Sequence, residues 1–79
     1  MEIETTKQII EEIGKQFATV TKIDGEKLVG VVDGPFAGYP KSNLEAYRKD
    51  YLYVNRIDKE NNPTERIYLE EIESIEAKN

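Results

Sequence analysis

The spacing of apolar residues changes at Gly14, and this change constrains the fold more than any other feature of the sequence. Before it, Ile9, Ile10 and Ile13 recur at helical spacing. After it, apolar and polar residues alternate with the two-residue period of a β-strand. A chain of 79 residues has room for one hydrophobic core, so the helix and the strands must share it. We therefore expect a single domain over residues 1–79.

The first segment predicts a short amphipathic helix over residues 6–13. Thr5 followed by Gln8 matches a capping box, and Gly14 suits a left-handed C-terminal cap. Phe17 falls at the helical spacing of the isoleucines and extends their apolar face. Because so short a helix does not persist alone in water, we expect this face to pack against one end of a sheet.

Residues 15–76 predict a small barrel of antiparallel strands. The Asp24-Gly25 pair is a tight-turn signal that joins the first strand to a returning strand at residues 27–33. Gly30 inside this apolar run predicts a bulge or a sharp bend. The expected fold is mainly β, with a short N-terminal α-helix followed by a five-stranded antiparallel small barrel of the SH3 or Sm type.

Residues 34–50 predict a loop excursion, because two prolines and two glycines precede a polar run without clear periodicity. Residues 51–58 predict the third strand. Its alternation places Tyr51, Tyr53 and Asn55 on one side and Leu52, Val54 and Arg56 on the other. A fourth strand follows at residues 66–69, and a tight helical turn then leads into a short final strand.

This succession of elements resembles an Sm-like small barrel, with GKQFATVTKIDGEKLVGVVDG towards one end and RIYLEEIESIEA at the other. The resemblance covers residues 6–76, and SH3-type barrels are similar in shape. Sm-like proteins form rings and bind uridine-rich or adenine-rich RNA through an aspartate and asparagine loop and a basic-glycine loop. Here no asparagine follows Asp33 at the expected short interval, and Arg66 precedes Ile67 instead of glycine. The resemblance therefore implies the architecture, without the RNA-binding residues.

The chain contains no histidine and no cysteine, which excludes Ser-His and Cys-His nucleophilic pairs and the usual zinc sites. Asp24 and Asp33 each precede a glycine, where aspartate stabilises turns, so they do not indicate an acid-base pair. The glycines match no phosphate-binding loop, and the acidic residues lack the spacing of a calcium loop. We expect no enzymatic activity, no catalytic residues, no cofactor and no metal site.

The net charge of −5 opposes binding to polyanions, but residues 39–59 hold five basic and three acidic residues. Tyrosines interleave with these basic residues, a combination typical of interfaces. In the alternative interpretation, the strand tyrosines pack against neighbouring strands and the loop lysines are simply solvated. The candidate partner-binding residues are Tyr39, Lys41, Tyr47, Arg48, Lys49, Tyr51, Tyr53 and Arg56.

These patterns favour a non-enzymatic interaction or regulatory module that binds another protein. The alternative is an Sm-like protein that binds single-stranded RNA, which the net charge disfavours. Because the chain has no cysteine, no basic leader and no long apolar run, we expect a cytoplasmic protein with no membrane partner. Pro35, Pro40 and the excursion after them predict that the edge of the second strand is shielded or broken, and hence a monomer or weak dimer and not a ring.

Overall fold

The computed structural model describes residues 1–78, and Asn79, the last residue of the predicted domain, lies outside the described residues. Within residues 1–78 there are one α-helix, five β-strands and two single-turn 3₁₀ helices. Their bounds are Ile3–Ile13 (α1), Phe17–Lys22 (β1), Lys27–Phe36 (β2), Tyr51–Arg56 (β3), Thr64–Tyr68 (β4) and Ile72–Ala77 (β5), with 3₁₀ turns at Glu45–Tyr47 and Leu69–Glu71. The prediction of a mainly β fold with an N-terminal helix and five antiparallel strands is confirmed.

The five strands form one antiparallel sheet in the order β4, β3, β2, β1, β5. The expected barrel is wrong in one respect: the sheet is open, because no ladder within the described residues joins β4 to β5. β2 lies in the middle of the sheet, between β1 and β3. The expectation of a sheet edge at the second strand is therefore wrong as well, since the free edges are β4 and β5. The ladder between β2 and β3 is nevertheless irregular between Asp33 and Phe36, around Pro35.

The helix begins at Ile3, earlier than predicted, and the predicted capping box does not form. Thr6 is buried, and its hydroxyl donates a hydrogen bond to the carbonyl of Glu2 at 2.9 Å. Gly14 follows the last helical residue with the expected positive φ, 63°, although its ψ of −144° lies outside the left-handed helical region. In the described part of the chain, no helix is both long enough and apolar enough to cross a membrane.

The core lies between α1 and one face of the sheet. Its apolar residues are Ile10, Ile13, Ala18, Val20, Leu28, Val32, Leu52, Val54, Ile67, Leu69, Ile72 and Ile75. The alternation predicted for β3 is confirmed, since Leu52, Val54 and Arg56 are its buried residues. Phe17 does not extend the helical face, because it belongs to β1, on the opposite side from the buried Ala18, and is 47% exposed.

Two glycines shape the first half of the sheet. The Asp24-Gly25 turn is confirmed: Gly25 has a φ of 93°, and the Asp24 carboxylate accepts a hydrogen bond from the N–H of Glu26 at 2.9 Å. At Gly30 the ladders to β1 and β3 keep their register, so of the two predicted features, a bulge or a sharp bend, the bulge is wrong. A Cβ atom at Gly30 would overlap the backbone carbonyl of Asn55, and this close approach of β3 accounts for the glycine.

Candidate functional site

The candidate tyrosines of β3 lie on the face of the sheet opposite the core, where they alternate with its buried residues. In the strand register, Tyr51 lies opposite Phe36 of β2 and Tyr68 of β4. Tyr53 lies opposite Arg66 of β4. The ring centroid of Phe36 is 5.4 Å from that of Tyr51 and 5.5 Å from that of Tyr53. These half-buried rings therefore pack against one another in stacked and edge-to-face geometries that stabilise aromatic pairs.

Tyr47 joins these rings from the connection between β2 and β3. Its centroid lies 5.6 Å from that of Tyr51, edge to face. The guanidinium carbon of Arg66 lies 3.9 Å from the centroid of Tyr47, a distance at which the cation is attracted to the ring. We call this group the aromatic layer; its members are Phe36, Tyr47, Tyr51 and Tyr53.

Sequence reasoning missed Phe36 and Arg66. Phe36 follows a proline, which predicts an excursion, whereas in the structure residues 34–36 continue β2 past an irregularity in its ladder with β3. Arg66 enters the sequence interpretation only through a family motif that it does not match. The alternation of β4 around the buried Ile67 is the signal that indicates its outward position.

The excursion is accordingly shorter than predicted, and we call its remaining part, residues 37–50, the loop segment. Its two ends approach each other backbone to backbone: the N–H of Tyr39 donates to the carbonyl of Tyr47 at 2.8 Å. A Cβ atom on Gly38 would overlap the backbone of Lys49. The segment is thus closed at its base by contacts that leave no space for a larger residue at Gly38.

Asp50 ties the base of the loop segment to the rest of the fold. Its carboxylate accepts a hydrogen bond from the N–H of Gly38 at 2.8 Å and forms an ion pair with the ammonium of Lys7, in α1, at 2.7 Å. Its carbonyl accepts from the N–H of Leu69 at 3.0 Å. The Gly38 N–H, and after it Lys7, hold the pKa of Asp50 below its ordinary value, because both stabilise the charged form.

A second set of contacts fixes the middle of the loop segment to β4 and the 3₁₀ turn after it. The hydroxyl of Tyr68 donates to the carbonyl of Glu45 at 2.8 Å. The ammonium of Lys49 lies 2.6 Å from a carboxylate oxygen of Glu70 and 5.6 Å from the ring centroid of Tyr68. Lys49 is therefore engaged in an internal ion pair.

The outer surface of the loop segment carries exposed apolar and basic side chains. Tyr39 is 61% exposed and Leu44 is 63% exposed. Lys41 and Arg48 are also exposed, and the Nε of Arg48 donates to a neighbouring backbone carbonyl at 2.8 Å. Together with the half-buried Arg66, these residues form what we call the loop face: Tyr39, Lys41, Leu44, Arg48 and Arg66.

Arg56 is not part of this surface. It is 4% exposed and lies on the core side of β3. Its Nε and Nη2 donate to the two carboxylate oxygens of Asp58 at 2.9 and 2.8 Å, and its Nη1 donates to Glu65 at 2.5 Å. Asp58 holds the pKa of Arg56 above its ordinary value, and Arg56 in turn lowers the pKa of Asp58 to about 2. Of the eight predicted residues, six therefore belong to the loop face or the aromatic layer, whereas Lys49 and Arg56 are held in internal ion pairs.

A shallow open groove lies beside the β1–β2 turn. It is lined by Lys22, Ile23, Asp24, Glu70 and Glu71. The ammonium of Lys22 lies 3.9 Å from Asp24 and 3.7 Å from Glu71, so the charges along this groove are largely paired. Across residues 1–78, no group of three or more acidic, histidine or cysteine side chains is arranged to hold a metal ion.

Comparison of the chain with models of protein families, with curated proteins and with solved structures finds no match. Its function must therefore be inferred from the geometry and charge of its own residues.

Proposed function

We propose that this protein is a non-enzymatic interaction module that binds another protein through the loop face and the adjoining aromatic layer. The observation that carries the proposal is the presentation of Tyr39 and Leu44, two strongly exposed apolar side chains, on a segment fixed at its base and its middle. A segment that is already ordered loses little conformational entropy when it binds. Tyrosine in addition supplies a large, rigid contact area.

The proposal includes the architecture. The order of helix, five antiparallel strands and a 3₁₀ turn between β4 and β5 supports a relation to the small Sm-like and SH3-type folds, with an open sheet instead of a closed barrel. Because such folds carry many unrelated functions, the function has to come from the surface residues. The lack of cysteine in the sequence supports a cytoplasmic setting, and the lack of both histidine and cysteine supports a role other than catalysis.

A monomer or weak dimer is part of the same proposal. The free edge of β5 carries the exposed carboxylates of Glu73 and Glu76, and charged side chains along an edge strand oppose pairing with a second sheet. Light scattering should give a mass near the 9.1 kDa of one chain, or twice that value. Six or seven times this mass would contradict the proposal.

Single-stranded RNA is the alternative partner, and the aromatic layer argues against it. Bases bind to open aromatic faces, whereas Phe36 and Tyr51 stack on each other and Arg66 covers Tyr47. The net charge of −5 adds an unfavourable field whose cost grows with the number of charges on the partner, so it is larger for a polyanion with a charge on every nucleotide than for a protein segment. Both observations favour a protein partner.

The test is a selection from a library of random twelve-residue peptides on the immobilised full-length chain. The double variant Tyr39→Ser/Leu44→Ser removes both exposed apolar side chains of the loop face. The control variant Ile23→Ser/Ile57→Ser removes two side chains that are 65% and 50% exposed elsewhere on the molecule. Enriched peptides should bind the control as they bind the native chain, and should bind the loop-face variant about tenfold more weakly or worse.

Two results would overturn the proposal. One is a selection that enriches no peptide, or peptides that bind all the variants equally. The other is salt-sensitive micromolar binding of labelled oligo-U or oligo-A at low salt, which would favour the RNA-binding alternative.

A further inference from the structure

We infer that the protein segment recognised by the loop face is acidic, an inference that rests on the proposed function and adds the chemistry of the partner. The starting point is the distribution of ion pairs. Five cations have a carboxylate oxygen within 4.0 Å: Lys7, Lys15, Lys22, Lys49 and Arg56. Over residues 1–78, none of the three cations of the loop face, Lys41, Arg48 and Arg66, has such a partner.

The local charge of the loop face is therefore positive in an otherwise acidic chain. The loop segment contains two carboxylates, Asp50 and Glu45. Asp50 is engaged by Lys7 and by a backbone N–H, whereas Glu45 is exposed. The loop face thus holds three unpaired cations, whereas the loop segment holds one unpaired carboxylate. An interface of this kind attracts the opposite sign of charge.

The two arginines are positioned to bind carboxylates. Arg48 is exposed, and its Nε donates a hydrogen bond to the carbonyl of Ser42, which orients the guanidinium. Arg66 lies over the ring of Tyr47, which holds the guanidinium plane in place. A planar guanidinium held by stacking or hydrogen bonding loses little further freedom when it binds a carboxylate through two parallel bonds.

The apolar side chains of the loop face make this partner a polypeptide. Leu44 offers an aliphatic contact that has no counterpart in base stacking, and Tyr39 offers an aromatic one. An acidic segment that also carries apolar side chains matches both kinds of residue. The structure thus assigns to the loop face an acidic and partly apolar stretch of another protein.

Three further cations without a carboxylate partner in the described residues, Lys27, Lys59 and Lys78, lie outside the loop face and provide matched controls. The double variant Lys41→Glu/Arg48→Glu reverses two charges of the loop face. Lys59→Glu/Lys78→Glu changes the net charge by the same amount at exposed positions elsewhere. Any difference between the two variants therefore reports position and not total charge.

The probes are the peptides enriched from the random library on the full-length chain, together with copies in which Asp and Glu are replaced by Asn and Gln. We expect the enriched peptides to hold more Asp and Glu than the input library. Fluorescence anisotropy should show binding about tenfold weaker for the neutral copies and for Lys41→Glu/Arg48→Glu, with no such loss for Lys59→Glu/Lys78→Glu. Affinity should also fall between about 50 and 300 mM salt.

Each contrary result is informative. Enriched peptides that are no more acidic than the input, or that bind equally as neutral copies, would overturn the acidic partner and leave the proposed function intact. A selection without any enriched peptide would overturn both. Oligo-U or oligo-A binding that Lys41→Glu/Arg48→Glu abolishes would identify a nucleic acid as the occupant instead. Self-association abolished by the same variant would identify a second copy of this chain.

Discussion

Arg56 and Arg66 occupy neighbouring antiparallel strands and are held in opposite ways. Arg56 lies on the core side of β3, 4% exposed, with its guanidinium hydrogen-bonded to Asp58 and Glu65. Arg66 lies on the outer side of β4, over the ring of Tyr47. The comparison teaches that the side of the strand decides what an arginine contributes. A buried guanidinium needs carboxylates to offset its lost hydration, whereas an outer one can rest on aromatic rings and keep its charge available.

The largest effect should come from removing the buried arginine. Arg56→Leu leaves Asp58 and Glu65 facing each other without a cation, and leaves the carbonyl of Lys27 without its guanidinium donor. Breaking such a network should lower the free energy of unfolding by about 2–3 kcal/mol, somewhat less than a fully buried pair because the carboxylates are partly exposed. Urea unfolding at pH 7 measures it. An unchanged midpoint would show that solvent satisfies these carboxylates as well as Arg56 does.

The next effect concerns the base of the loop segment. Gly38→Ala places a methyl group where the backbone of Lys49 lies, so the two ends of the segment must separate. We expect a loss of about 1–2 kcal/mol in the free energy of unfolding and faster hydrogen exchange at the N–H of Tyr39. Ala37→Ser, an exposed change next to it, is the control. Slow exchange at Tyr39 in Gly38→Ala would contradict the account of the loop segment as a closed unit.

The strand alternation already carried the information that separates the two arginines. The alternation of residues in β3 predicts that Arg56 lies on the same side as Leu52 and Val54. The net positive charge of residues 39–59, in contrast, led to the prediction that Arg56 binds a partner. The period is dictated locally by backbone pleating, so it can be derived from sequence. The same is true of the Asp24-Gly25 turn, which depends on adjacent residues alone.

Other features depend on contacts between distant residues and could not be derived in this way. A Cβ atom at Gly30 would overlap the backbone carbonyl of Asn55, which lies on another strand. The N–H of Gly38 donates its hydrogen bond to the carboxylate of Asp50, at the other end of the loop segment. The order of strands in a sheet also depends on contacts between distant residues. The sequence patterns therefore predict a closed barrel with an edge at the second strand, whereas the sheet is open and its free edges are β4 and β5. The predicted start of the helix is also wrong. The hydroxyl of Thr6 donates a hydrogen bond to the carbonyl of Glu2 in the first turn, and the side chain of Thr5 does not cap the helix.

A pH titration sharpens the comparison, because only the buried arginine is paired with carboxylates. Arg56 lowers the pKa of Asp58 from 3.8 to about 2, so the charged form stabilises the folded chain. This contribution is fully present above about pH 4 and is lost as the pH falls through about 2. Melting temperatures measured from pH 5 to pH 2 should therefore decline less steeply in Asp58→Asn than in the native chain.

The smallest loss of stability should come from substitution of the outer arginine, Arg66. This measurement best distinguishes an arginine that stabilises the fold from one that is available to a partner. Arg66→Leu keeps apolar contact with Tyr47 while removing the cation, so the loss of stability should not exceed about 1 kcal/mol, the range of a cation–π contact that is partly open to solvent. The same Leu substitution at Arg56 should cost several times more in the same urea experiment. If Arg66→Leu proved as costly as Arg56→Leu, Arg66 would be a structural residue of the aromatic layer, and the loop face would retain only Lys41 and Arg48 as cations available to a partner. If Arg66→Leu left the stability nearly unchanged, the fold would not require the charge of Arg66. The guanidinium would then be available to bind an acidic segment, as the further inference requires.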